Sequence, residues 1–152
     1  MLKTVQIDSF EKWMGILVFE VSSIEFGCNI IRVYGLYSVK QKLTSKGHIT
    51  YNEKKIPFYN VGDLLKIKSV SKNKNEHILI FDSPKGPVGF GTDEIKEVLP
   101  WNEKIFENEV KTEKTADDKL FLGKIYFEGR TILLPDFDRI INHIKRKQYA
   151  LL

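Results

Sequence analysis

His48, His77, His143 and Cys28 are the only histidines and the only cysteine of this chain. No two of them lie at the spacing that begins a zinc site, so nitrogen and sulfur donors find no pair to build on. Cys28 alternates with Phe26 and Ile30. That pattern marks a small buried hydrophobe rather than a nucleophile, which would need a base beside it. The pairs Asp93-Glu94 and Asp117-Asp118 carry the groups used in acid–base work. Neighbours on a strand point to opposite faces, however, so they do not converge on one substrate atom, and a solvated surface is the better reading. Gly86, Gly89 and Gly91 sit close together. A phosphate loop would follow them with a lysine, a hydroxyl residue and a helix. Here a strand pattern follows, and close backbone packing accounts for the glycines. The expectation is no catalytic residue, no metal, no cofactor and no enzymatic activity.

The elements that would carry these residues are short and mostly extended. Gly15–Val21 is apolar on both faces apart from Glu20, as a strand in a barrel wall would be. Ser22-Ser23 turns the chain into a second strand from Phe26. Asn52-Glu53-Lys54 reads as a hairpin tip between His48–Tyr51 and Lys55–Phe58, with Pro57 suggesting a strand edge or end. His77–Phe81, Val88–Thr92 and Glu94–Leu99 form a further set, punctuated by the turn cluster Asp82–Pro87. Leu120–Phe127 and Arg130–Leu134 flank Glu128-Gly129, a two-residue hairpin signal. Ser71–Glu76 and Glu107–Lys119 read as loops. One helix is strongly written: Phe137, Ile140, Ile141 and Ile144 make a single apolar stripe, with Asp136 as N-cap and Lys145, Arg146 and Lys147 at the C-terminal end. A weaker helix is suggested around Asp8–Met14. Many short strands with regular turns argue for a barrel.

Composition sets the outer bounds. The chain has 152 residues, 42% hydrophobic and 29% charged, which suits one domain or two small lobes sharing a core. No apolar run approaches the roughly 18–20 residues of a membrane span, and the start lacks a signal-peptide pattern. With a single thiol, these features point to a cytoplasmic protein without membrane insertion. The net charge of +4 comes from lysines scattered through polar segments such as Lys72–Asn75. Nucleic-acid binders concentrate basic residues on one face, so no nucleic acid is expected.

The order of these segments resembles the CheW-like domain of bacterial chemotaxis. Four stretches carry the resemblance. They are Ile16–Val21 with Glu25–Val33, Gly47–Asn52 running to Ile56–Val61, Val88–Ile95 with Val98-Leu99, and Leu122-Gly123 with Gly129–Pro135 and Ile141. The similarity spans Gly15 to Ile144, and its weight lies in order and separation. It implies a mainly β fold: two intertwined, small, SH3-like five-stranded barrels with a C-terminal helix, the lobes drawing on both halves of the sequence, residues 1–152 forming one CheW-like domain. On pattern and likeness together, Ile16, Val18, Ile80, Val88 and Leu133 should be buried.

The same resemblance implies an adaptor that couples a CheA-like histidine kinase to chemoreceptors or to other CheW-like domains. One surface would dock the kinase's regulatory domain, and a groove at the join would accept a receptor's cytoplasmic tip. The receptor-groove equivalents are Val33, Gly47, Asn52 and Glu53. The family usually places arginine and glycine where this chain has Asn52 and Glu53, and aspartate where it has Asn60. The segment between Leu36 and Gly47 is also shorter than usual. These departures imply altered receptor contact and leave the barrel intact. The alternative is a β-barrel module outside chemotaxis, binding nucleic acid or another protein. An aromatic triplet on one sheet face would favour it, and Tyr34, Tyr37 and Tyr51 do not form one by spacing.

Overall fold

β1 (Gly15–Val21) is buried along nearly its whole length, and its two faces serve two different cores. Ile16 and Val18 point one way, Leu17, Phe19 and Val21 the other. The computed structural model describes residues 13–38, 46–67, 77–107 and 118–150. β1 pairs with β2 (Ile24–Asn29) through Ser22-Ser23, both in the left-handed region (φ 53° and 66°). Two such residues twist a hairpin in the sense its strands prefer. The Asp93 carboxylate holds that turn by accepting from the Ser22 N–H at 2.8 Å.

A 3-10 turn at Ile30–Arg32 carries the chain out of this first sheet. A second sheet follows from β3 (Val33–Ser38), β4 (Lys46–Tyr51), β5 (Lys54–Asn60), β6 (His77–Ser83) and β7 (Gly86–Thr92), in the order β3-β6-β7-β5-β4. A four-residue helix, α1 (Val61–Leu64), follows β5. The chain then returns to the first sheet with β8 (Glu94–Pro100), β9 (Phe106–Glu107), β10 (Phe121–Phe127) and β11 (Arg130–Pro135), giving β8-β1-β2-β11-β10-β9. Helix α2 (Phe137–Ala150) ends the described chain. Glu128 and Gly129 form the β10–β11 turn as expected, both with positive φ.

The fold is the expected one: mainly β, two curled sheets sharing a core, one C-terminal helix. Period-two patterning builds it. Ile16, Val18, Leu99, Ile125, Ile132 and Leu134 fill the first sheet's concave side. Ile49, Ile56, Phe58, Ile78 and Ile80 fill the second. The alternate residues, among them Leu17, Phe19, Phe26, Leu79, Phe81 and Phe90, face a joint core between the sheets. All five residues named from the sequence are buried. Cys28 is buried in the joint core, and Gly89 is a close-packing glycine whose added Cβ would sit 2.8 Å from Ile78 and 2.9 Å from Phe58.

Helix α2 seats its apolar stripe on the joint core, with Phe137, Ile140 and Ile141 buried. The Phe137 ring lies 4.4 Å from Phe90, 5.1 Å from Phe81 and 6.2 Å from Phe19. Asp136 is the N-cap, accepting from the Arg139 N–H at 3.1 Å.

Three expectations need correction. The first sheet has six strands, because β9 adds two residues at the edge. Both sheets draw on both halves of the chain, the second within one continuous stretch, β3 to β7. Pro57 lies inside β5, an interior strand, just before its parallel pairing with β7 begins at Phe58, where its missing N–H breaks no β7 hydrogen bond. The hairpin tip is Asn52-Glu53 alone, since Lys54 already pairs with Tyr51. The expected loop at Ser71–Glu76, with the Lys72–Asn75 run, lies outside the described residues, as do most of the Asp8–Met14 helix, residues 39–45 and residues 108–117 with Asp117.

Candidate functional site

The chemistry-bearing side chains are scattered. His48 is exposed on β4, His77 begins β6, and His143 is exposed on α2. Among the described residues no three His, Cys, Asp or Glu side chains gather as a metal site would require. What the fold does present is apolar surface. Met14, Ile31, Tyr34, Leu36 and Val98 are each at least 48% exposed.

Strand registers place two of these on the join. Val98 pairs with Leu17, and Leu36 pairs with Leu79. Leu17 and Leu79 both belong to the joint core, so Val98 and Leu36 share its faces yet remain uncovered. Gly15 lies between Val98 and Ile30: a Cβ there would stand 3.3 Å from a methyl of each. An apolar strip therefore starts at Val98, passes Ile30 and follows the crossover through Ile31, Val33 and Tyr34 to Leu36. Burying one such side chain against a partner is worth about 1.5–3 kcal/mol.

The four expected site residues divide. Val33 starts β3, half-buried opposite Phe81, within the strip. Asn52 and Glu53 are exposed at the β4–β5 tip, both with positive φ (50° and 65°). Tyr51, just before them, fastens the tip to β3 by lying over Gly35; a Cβ on Gly35 would overlap the Tyr51 hydroxyl and stand 2.7 Å from its Cζ. The tip and Val33's strand are thus brought together. Gly47 is not part of that group: it sits opposite Phe58, five residues up β4 and roughly 16 Å from the tip.

Tyr34, Tyr37 and Tyr51 do meet, which spacing did not reveal. Tyr51 stands edge-on to both, at 6.1 and 6.5 Å. Tyr37 is half-buried against the second sheet's core. The rings close a barrel seam rather than forming a row of parallel faces for bases. Asn60 has a part in the fold itself. It is buried, and its carbonyl oxygen accepts from the Asp63 N–H at 2.9 Å, capping α1.

Charge gathers at the turn end of the first sheet. Glu25, Glu20 and Glu94 lie side by side across β2, β1 and β8. Like charges in register repel, and two cations offset them. Lys96 bonds Glu20 at 2.9 Å. Arg130 forks onto Glu25, with its Nε 3.0 Å from Oε1, and reaches Glu97 at 3.2 Å. The Arg130 hydrogen bond holds the Glu25 carboxyl below the usual carboxylate range, against the opposing effect of burial. The opposite end of this sheet is aromatic: Trp13 and Trp101 lie 4.9 Å apart, and Phe106 is 5.7 Å from Trp101.

The fold is thus a pair of curled sheets with exposed apolar side chains at their join. The sequence pattern of the CheW-like domain matches residues 15–145, and the chain belongs to that family. Among solved structures it is similar to the scaffolding protein TtCheW from Thermoanaerobacter tengcongensis. That likeness has a TM-score of 0.69 and 19% identity, over 85% of this chain and 88% of the other, and it concerns the fold. No curated protein sequence matches it. Among the described residues no helix is long and apolar enough to cross a membrane.

Proposed function

We propose that this chain is a cytoplasmic chemotaxis adaptor that works as a scaffold rather than as an enzyme. It holds a CheA-like histidine kinase to chemoreceptors or to other CheW-like domains, with the whole chain acting as one two-lobed unit. The observation that carries this reading is the strip of half-exposed apolar side chains from Val98 to Leu36 at the join of a CheW-like fold. The aromatic end of the first sheet, around Trp101 with Met14 exposed nearby, supports a second contact and suits the kinase's regulatory domain. The charged end does not suit an apolar partner.

Transient signalling contacts are modest, so the kinase domain should bind with micromolar affinity, roughly −8 kcal/mol. Calorimetry against the regulatory domain of the kinase from the same genome tests this. Leu36→Asp should weaken one partner and Met14→Asp the other. No heat at high concentration with either kinase or receptor tip would sink the reading.

A further inference from the structure

Arg32 ends the 3-10 turn that carries the chain from the first sheet to the second. Its guanidinium reaches two other elements at once. Nε and Nη2 donate to the Asp82 carbonyl on β6, at 3.1 and 2.9 Å. Nη1 and Nη2 donate to the two carboxylate oxygens of Asp138 on α2, at 3.0 and 2.8 Å. The same group lies 4.5 Å above the Phe81 ring, which in turn touches Phe137. A planar fork can satisfy a carboxylate and a carbonyl together while covering an aromatic face; an ammonium cannot.

The residues flanking Arg32 are the strip itself. Ile31 is exposed on one side, with Val33, Tyr34 and Leu36 following on the other. An exposed apolar side chain has no packing to fix its position. The β6 ladder holds the strip from Val33 onward, and Arg32 anchors the turn that leads into it. Asp138 in turn is placed by the helix whose Phe137 fills the joint core.

We infer that Arg32 is the positioning residue of the docking strip: it ties the crossover backbone to the first turn of α2, so that the strip's shape depends on the seating of that helix. This rests on the adaptor reading for the identity of the partner, though not for the tie itself. Asp138 is half exposed, and an exposed ion pair adds little to global stability. The effect of breaking it therefore falls on the local order of residues 31–36.

The test pairs amide hydrogen exchange with calorimetry on the full-length chain, for Arg32→Ala, Asp138→Ala and Asp138→Glu. Exchange at residues 31–36 should quicken about tenfold in both alanine variants and return towards the native rate with glutamate. Exchange in β7 and β10 should not move. Affinity for the strip's partner should fall three- to tenfold in Arg32→Ala and in Asp138→Ala, and the double variant should lose no more than either alone. Unchanged exchange at 31–36, or exchange raised equally everywhere, overturns the inference. So does altered exchange with unaltered affinity. If the native chain binds neither kinase nor receptor, the adaptor reading is what fails, and the exchange data alone decide the tie.

Discussion

Tyr51 fills the space that a side chain on Gly35 would need, so β4 and β3, the two edges of the second sheet, meet through a ring lying on bare backbone. No ladder joins these edges in the sheet order β3-β6-β7-β5-β4. The barrel is closed there by shape.

Gly35→Ala should therefore push Tyr51 off its seat and cost about 1–3 kcal/mol, the usual range for overpacking. Thermal or urea unfolding measures it. Tyr51→Ala in the same background should recover part of the loss, because the clash is then gone. Full stability in Gly35→Ala would mean that the seam is loose.

The first sheet's charged end should respond to acid. Glu25 has its folded pKa lowered by Arg130. Its contribution is fully present above the ordinary glutamate value of about 4.3 and is lost as pH falls through the lower folded value. Arg130→Gln should remove that dependence and cost about 1 kcal/mol at neutral pH, since Glu25 and Glu97 lose their shared cation. Unfolding curves from pH 7 to pH 3 for both proteins check this: the variant's curve should be the flatter.

Asn60 stands where the family places aspartate, and either oxygen can cap α1. Asn60→Asp should change stability by no more than a few tenths of a kcal/mol, and Asn60→Ala should cost about 1. Neither should alter receptor affinity beyond its effect on folding. A selective loss of binding in Asn60→Asp would return this position to the interface.

The hairpin tip is different, because Asn52 and Glu53 are exposed. Arginine there could fork onto a receptor carboxylate, and glycine would adopt Glu53's positive φ without steric cost. Asn52→Arg with Glu53→Gly should strengthen binding to an ordinary receptor tip ten- to hundredfold, about 1.5–3 kcal/mol. Glu53→Gly alone should stabilise the hairpin by up to about 1 kcal/mol. Tight binding by the native chain, unchanged by the double substitution, would remove the tip from the contact.

Much of this fold is legible in the sequence wherever burial imposes a period. β1 reads as a wall strand because both of its faces are covered, and α2 reads as a helix because one stripe is. α1 escapes such reading, being too short to show a period. The exposed apolar strip is harder still. Val98 looks like any core valine until Gly15 and the register with Leu17 leave it bare. Arg32 reads as a surface charge, since its partners at Asp82 and Asp138 are distant in sequence. Asn60 shows the reverse case: a residue noticed only as a departure from the family pattern is a buried helix cap.

The nesting of one sheet inside the other also sets an order of events on the ribosome. β3 to β7 emerge together, so the second sheet can pair completely while β8 is still being made. The first sheet cannot: β2 waits with one edge unpaired until Leu133 arrives beside Phe26. Through that interval Phe81 and Phe90 face outward from a finished half, lacking the Phe137 ring that will cover them. The growing chain thus carries that apolar face from the completion of β7 at Thr92 until Phe137 arrives, and α2 is what closes it.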